Sequence, residues 1–200
     1  MRLGIFGGTF DPVHFGHLLL AEQCRETCEL DEVWFLPSGS PPHKEGAGIS
    51  AAAGRAEMLE LATAGHPAFS VNRMEFERTG ATFTVDTLEQ LHAEKPSWEL
   101  FFLIGADSLD DFPMWREPGR IAELATIVAI NRGDRPAIDL SRIVAKLGDA
   151  VASRIQVVTM PGVSLSASDI RRRVRAGKSI RYMTPAAVEV FIAQHKLYLE

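Results

Sequence analysis

The chain is short of several things, and each shortage narrows what it can be. Its 200 residues include only two cysteines, Cys24 and Cys28. A disulfide-stapled secreted scaffold is therefore not expected, and the pair reads as small buried thiols in a reducing compartment. His17 would share a helix face with both, so half of a zinc site is an alternative, but no second ligand cluster follows. No apolar run approaches a membrane span. The chain opens on a strand pattern, without the basic segment, apolar stretch and cleavage site of a signal peptide, so a cytoplasmic location is expected. Nor is there an excess of base: 21 Lys and Arg face 26 Asp and Glu, for a net charge of −5. That argues against broad nucleic-acid binding. Internal repeats and low-complexity linkers are also missing.

The base that is present is concentrated. Residues 171–181 (RRRVRAGKSIR) hold six Lys or Arg and no acid. One positive spot on a negative protein suits a small anionic ligand better than a long polyanion.

The 46% hydrophobic content is ordinary for a globular protein. It is parcelled into short runs at 3–6, 33–36, 69–71, 100–104, 126–130 and 155–158. Continuous runs rich in β-branched and aromatic residues predict strands covered on both faces. The third strand is expected to run on to Met74. Helical patterns lie at about 15–28, 51–64, 84–94, 139–151 and 184–195. The alternation predicts an α/β fold, a mostly parallel sheet with helices on both faces. Residues 1–200 read as one domain, with a helical C-terminal portion from about 164 packed on it. The first helix is expected to bury Phe15, Leu18, Leu19, Ala21 and Cys24. Helix 139–151 is expected to bury Ile143, Val144, Leu147 and Val151. The last helix should start at Thr184-Pro185 by a cap-then-Pro rule, with Val188, Phe191, Ile192 and His195 on one stripe.

The stretch everything else serves is residues 1–17, MRLGIFGGTFDPVHFGH. A strand runs into Gly7-Gly8-Thr9, turns at Asp11-Pro12, and delivers His14 and His17 to the mouth of a helix. Glycines let backbone approach an anion, and a helix start offers free N–H groups and a positive dipole end. Two imidazoles three residues apart share a face. Gly-Gly alone is weak evidence, being neither a G-x-G-x-x-G fingerprint nor a P-loop. The longer pattern G-G-T-F-D-P-x-H-x-G-H is far more specific, and resembles the signature of the H-x-G-H nucleotidyltransferase superfamily.

Other stretches fall where strands end and ligand crevices form. The loop at 37–44 (PSGSPPHK) would bring Lys44 beside Gly7-Gly8, or leave it a solvated lysine. Thr84 or Asp86 could cap a helix, or the same helix start could hold a carboxylate or amide. Gly105 and Asp107 follow the most strand-like run; Asp107 could accept from a ribose hydroxyl or cap a helix. Trp115 could stack on a heteroaromatic ring or seal the core edge. Ser166 or Ser168 could cap the helix carrying Arg171, and that helix start could grip a phosphate.

Together these stretches resemble the nicotinate mononucleotide adenylyltransferase family over nearly the whole length. The likeness rests on GGTFDPVHFGH (7–17), P-x-x-x-P-P-H-K (37–44), T-V-D-T-L (84–88), I-G-A-D-S with F-P-M-W (104–115), S-A-S-D-I-R (166–171) and the closing P-x-x-V-x-x-F-I-x-x-x-x-L-Y (185–198). The resemblance implies a Rossmann-like fold that binds ATP and nicotinate mononucleotide, with Mg²⁺ assisting. The mononucleotide phosphate would attack the ATP α-phosphorus, giving nicotinate adenine dinucleotide and pyrophosphate. It also implies roles. His14 and His17 would hold ATP phosphates, and Lys44 and Arg171 would be phosphate-binding cations. Gly7, Gly8, Thr9 and Phe10 would form the nucleotide loop, Gly105 and Asp107 the ribose region, and Ser168 the helix start at the triphosphate. Thr84 and Trp115 would form the nicotinate pocket. No protein metal ligand is implied, and self-association is left open.

The chain departs from the family at Ala167, where a second serine is usual; one hydroxyl contact is missing. Rival readings are a nicotinamide-mononucleotide or pantetheine-phosphate adenylyltransferase, a non-catalytic nucleotide-binding regulator, and a nucleic-acid binder using 171–181. The pantetheine-phosphate enzymes usually carry threonine at the place of His14 and lack the PPHK and T-V-D-T-L combination.

Overall fold

Strands built from unbroken apolar runs must be covered on both sides, and the chain arranges this by laying α-helices first over one face of the sheet and then over the other. The computed structural model describes residues 1–39, 49–78, 80–133 and 136–199. In order the elements are β1 (Arg2–Gly8), α1 (Phe15–Thr27), β2 (Glu32–Pro37), α2 (Ala52–Thr63), β3 (Phe69–Val71), α3 (Thr84–Glu94), β4 (Glu99–Gly105), α4 (Ala106–Asp111), α5 (Pro118–Leu124), β5 (Thr126–Arg132), α6 (Ser141–Leu147), α7 (Asp149–Ala152), β6 (Ile155–Met160), α8 (Ala167–Arg175) and α9 (Ala186–Gln194). Short 3₁₀ turns lie at Met74–Glu77 and Phe112–Met114. No helix among the described residues is long and apolar enough to cross a membrane.

All five strand pairings are parallel, in the order β3-β2-β1-β4-β5-β6. This is the Rossmann-like doubly wound order. The direction of winding reverses between β1 and β4, and the crevice outside their C-terminal ends is where such sheets bind ligands. Side chains alternate across the sheet, which is plain along β4. Phe101 and Leu103 face a core closed by Ala21, Cys24, Met58, Ile170, Val188 and Phe191 from α1, α2, α8 and α9. Phe102 and Ile104 face a second core closed by Leu88, Leu109, Ile121 and Ile143 from α3, α4, α5 and α6.

Several expectations are corrected by the tertiary structure. The helix expected at 139–151 is two, α6 and α7, because Gly148 adopts φ +83° between them; Val144 is largely exposed. The third strand stops at Val71, since the Asn72 side chain accepts from the Met74 N–H at 2.9 Å and turns the chain. The Gly-, Asp- and Pro-rich stretch after β4, which lies outside the expected helical patterns, is helical, with Leu109, Phe112 and Ile121 buried there. Phe15 is 41% exposed and lies outside the core. Phe83 precedes α3, so neither Thr84 nor Asp86 is its cap. Thr184 does not cap α9; its hydroxyl donates to the Val13 carbonyl at 2.7 Å. The stripe of α9 is as expected, core or its rim: Val188, Phe191 and Ile192 are buried, and His195 is exposed at the rim with its ring on Phe191.

Candidate active site

The loop after β1 is built to hold two imidazoles. Phe10 takes a left-handed backbone (φ 49°) and turns its ring inward, 2% exposed, against Phe6 at 5.2 Å and His17 at 5.1 Å. Its side chain is thus the floor beneath His17. His14 stands at the N-cap of α1, and its backbone N–H donates to His17 Nδ1 at 3.2 Å. An accepting Nδ1 carries no proton, so the His17 hydrogen sits on Nε2; the tautomer follows from that bond. The two rings stack, with centroids 3.7 Å apart. They pack this closely over Gly16, where a Cβ would lie 3.0 Å from His14 Nδ1. The glycine of H-x-G-H therefore leaves room for the first histidine.

Both imidazoles are kept uncharged. Burial lowers His17 well below the ordinary histidine range, with His14 and then Arg132 adding to it. Burial, then the charge of Arg132, lowers His14 to about 4. Neutral imidazoles at a helix start act as hydrogen-bond donors ready for an anion.

Two cations come to this loop from distant elements. Arg132 ends β5 and acts electrostatically on both histidines. Arg171, from the first half of α8, donates to the Asp11 carbonyl at 2.7 Å and to Ser168 Oγ at 3.3 Å. Ser166 caps α8 by accepting from the Asp169 N–H at 3.1 Å. Ala167 opens that helix without disturbing the cap. Ser168 is exposed at the helix start. Lys44 lies outside the described residues.

Beside the loop is a pocket of about 300 Å³ between the ends of β1 and β4 and the start of α3. Residues 7–9 (Gly7, Gly8 and Thr9) form one edge. Leu36, Leu88, Phe102 and Trp115 give it apolar walls, while Thr82, Thr84, Ser108 and Glu75 contribute polar atoms. Trp115 is braced edge-on by Phe102 at 5.9 Å and Phe112 at 5.6 Å, so it both seals the core edge and walls the pocket. Thr84 is the first residue of α3, whose opening N–H groups lack helical partners. Gly105 caps α4, and Asp107 is exposed in its first turn, away from the pocket lining.

Sequence reasoning passed over three residues that the structure brings here: Arg132, Glu75 and Arg55. Arg55 is 1% exposed and donates to four carbonyls, Thr9 (2.8 Å), Ser38 (2.6 Å), Gly39 (3.3 Å) and Ser50 (3.0 Å). It ties the ends of β1 and β2 to the start of α2. Asp11, 2% exposed, supplies nearby counter-charge and accepts from Tyr198 Oη at 2.5 Å and the Ser50 N–H at 3.2 Å. An arginine among Ala56, Met58 and Leu59 was the one available signal that α2 buries a charge.

The donor set, with imidazole N–H, guanidinium, hydroxyl and helix-start amides, fits a polyphosphate. It does not fit a protein-caged metal: among the described residues no three His, Cys, Asp or Glu side chains stand close enough to hold one. The cysteines are buried and free, and burial raises both thiols, Cys24 with a small push from Cys28, so neither is a poised nucleophile or thiolate ligand.

Comparison with known proteins bears on the family and the fold. The sequence model of the cytidylyltransferase-like family matches residues 5–173. A Thermomicrobium roseum protein named "Probable nicotinate-nucleotide adenylyltransferase" is 49% identical, spanning 98% of this chain and 91% of its own length. One of the same name from Thermus thermophilus is 43% identical, over 99% of this chain and all of its own length. Among solved structures, the Plasmodium falciparum nicotinic acid mononucleotide adenylyltransferase complexed with NaAD superposes with a TM-score of 0.79. It is 17% identical and covers 100% of this chain and 99% of its own.

Proposed function

The chain belongs to the cytidylyltransferase-like family, among its nicotinate-nucleotide adenylyltransferases, and from that premise we propose that it transfers the adenylyl group of ATP to nicotinate mononucleotide in NAD biosynthesis. One observation carries the reading to these residues. The segment 7–9 edges the Trp115 pocket and the chain then continues into the stacked His14–His17 helix start, so an aromatic-walled pocket adjoins a group of hydrogen-bond donors, which supports reading them as pyridine and phosphate sites.

In this reading a phosphate oxygen of the mononucleotide attacks the ATP α-phosphorus. The bond from that phosphorus to the bridging oxygen breaks, and its electron pair leaves with pyrophosphate. No side-chain nucleophile is needed; the work is positioning and charge stabilisation. His17 donates through Nε2–H and His14 stands beside it, so charge building on the phosphates meets preformed donors. Arg171 and Arg132 balance the remaining charge, with Ser168 at the helix start nearby. Gly7, Gly8, Thr9 and Phe10 shape the nucleotide loop, and Gly105 and Asp107 serve the ribose side. Trp115 stacks on the pyridine ring while Thr84, opening α3, offers amides to its carboxylate. Lys44 keeps its reading as a phosphate-binding cation from the sequence alone. Mg²⁺ would accompany ATP and would offset part of the phosphate charge, without a ligand required from this chain. The whole of 1–200 acts as one unit, a reading supported by Arg171, Thr184 and Tyr198 all bonding back to residues 11–13. A cytoplasmic location is part of the same reading.

The test is pyrophosphate release from ATP and Mg²⁺ with nicotinate mononucleotide, nicotinamide mononucleotide or phosphopantetheine. Strong turnover with the first alone is expected. Similar kcat/KM for the two pyridine mononucleotides removes the nicotinate preference, and no turnover with any acceptor removes the reaction.

A further inference from the structure

The Trp115 pocket contains a charge that the reaction described above does not use. Glu75, on the 3₁₀ turn at Met74–Glu77, is the one ionisable side chain among the described residues lining it. Its two oxygens are each held. Oε2 accepts from Thr82 Oγ1 at 3.0 Å and Oε1 from Thr87 Oγ1 at 3.1 Å. Both threonines are buried and both line the same pocket. Arg78 is close but spends its donors elsewhere, on Thr87 Oγ1 at 2.8 Å, the Asp86 carbonyl at 3.4 Å and Gln90 Oε1 at 2.5 Å. Among the described residues no cation forms an ion pair with Glu75.

A carboxylate lining a largely apolar pocket, with two hydroxyls as its partners among the described residues, is costly unless something positive joins it. The same pocket is lined by the rings of Phe102 and Trp115. An indole, a phenyl ring and a carboxylate around one small space suit a flat organic cation. In a pyridine mononucleotide the ring nitrogen is bonded to ribose carbon, so the ring is a permanent cation. The geometry points to Glu75 as the counter-charge for the pyridinium ring, a specificity residue that favours a quaternised ring over a neutral ring of the same shape. This rests on the adenylyl-transfer reading above. The ring is then read at two ends of opposite sign, its cationic nitrogen by Glu75 and its carboxylate by the start of α3.

The test compares two acceptors with the full chain, ATP and Mg²⁺. One is nicotinate mononucleotide. The other is its uncharged isostere, a 3-carboxyphenyl ring joined to ribose 5-phosphate through carbon. The wild-type chain is expected to favour the pyridinium acceptor by about tenfold or more in kcat/KM, chiefly through KM. Glu75→Gln, which keeps hydrogen-bonding atoms between the two threonines, is expected to narrow the gap to about twofold by weakening use of the pyridinium acceptor. Glu75→Asp keeps the charge and should keep the preference. Equal loss on both acceptors in Glu75→Gln would mean that the residue only braces Thr82 and Thr87, and overturns the inference. So does a wild-type chain indifferent to ring charge, a result that does not depend on any variant folding. Turnover of neither acceptor by the wild-type chain is the separate failure of the adenylyl-transfer reading, and takes the inference with it.

Discussion

His17 can present its Nε2 hydrogen because the His14 backbone N–H already occupies Nδ1. Nothing needs to be protonated or reorganised when phosphate arrives. Removing that donor in His17→Ala should lower kcat about 10²–10³-fold, the usual cost of one preorganised donor to transition-state charge. Steady-state kinetics beside a thermal melt separate this from unfolding, and near-normal kcat would refute the role. The same burial sets a pH dependence. The folded-state pKa of His14 is lowered to about 4 from 6.5, by burial first and Arg132 second. The unfolded chain therefore binds the extra proton between those values. Stability is full above pH 6.5 and falls as pH drops towards 4, by about 3 kcal/mol from this group. His17 shifts in the same direction. Urea unfolding at pH 7 and pH 4.5 should show the fall, and His14→Gln should flatten part of it.

At the scale of elements, α2 does more than cover the sheet. It carries Arg55 into the interior to collect carbonyls from the ends of β1 and β2, where parallel strands leave backbone acceptors that no ladder satisfies. Arg55→Met should leave those acceptors and the Asp11 carboxylate uncompensated. The expected loss is about 3 kcal/mol, a drop in Tm of about 6–12 °C for a chain of this length. Lysine is a poor substitute, since a single ammonium cannot span four carbonyls in fork geometry. A melt within about 2 °C of wild type would show that the clamp is energetically idle.

Across the whole molecule, the chain closes on its own beginning. Tyr198 reaches back 187 residues to the Asp11 carboxylate, and Arg171 reaches back 160 to the Asp11 carbonyl. The β1–α1 loop is thus held from the C-terminal portion as well as from α2. Burial and then Asp11 push the Tyr198 phenol well above its ordinary range, so it remains a donor throughout the working pH. Tyr198→Phe keeps the ring and removes the bond. It should cost about 1 kcal/mol and lower kcat/KM by more than the melt alone explains, because Asp11 organises the loop. Unchanged kinetics with only a lower Tm would confine Tyr198 to stability. Within the basic run, Arg172 pairs with Asp169 and Arg181 with Glu189, while Arg171 bonds to the loop.

Periodicity and local pattern determined a good deal unaided. The alternation of apolar runs with helical patterns already specified a parallel α/β sheet, since a run buried on both faces looks the same whatever covers it. The H-x-G-H spacing already placed both imidazoles on the first turn of a helix. Thr84 and Trp115, read from separate motifs, do meet in one pocket. Tertiary structure alone decided the rest. Whether 139–151 is one helix or two turned on the backbone of a single glycine, Gly148. The tautomer of His17, the neutrality of both histidines and the nearness of Arg132 depend on burial and through-space charge. Arg55 and Glu75 look like ordinary helix and loop charges until segments far apart in the chain enclose them. Sequence records which side of an element is apolar, because burial repeats with the element's own period; it does not record which distant polar groups that packing brings within hydrogen-bond reach.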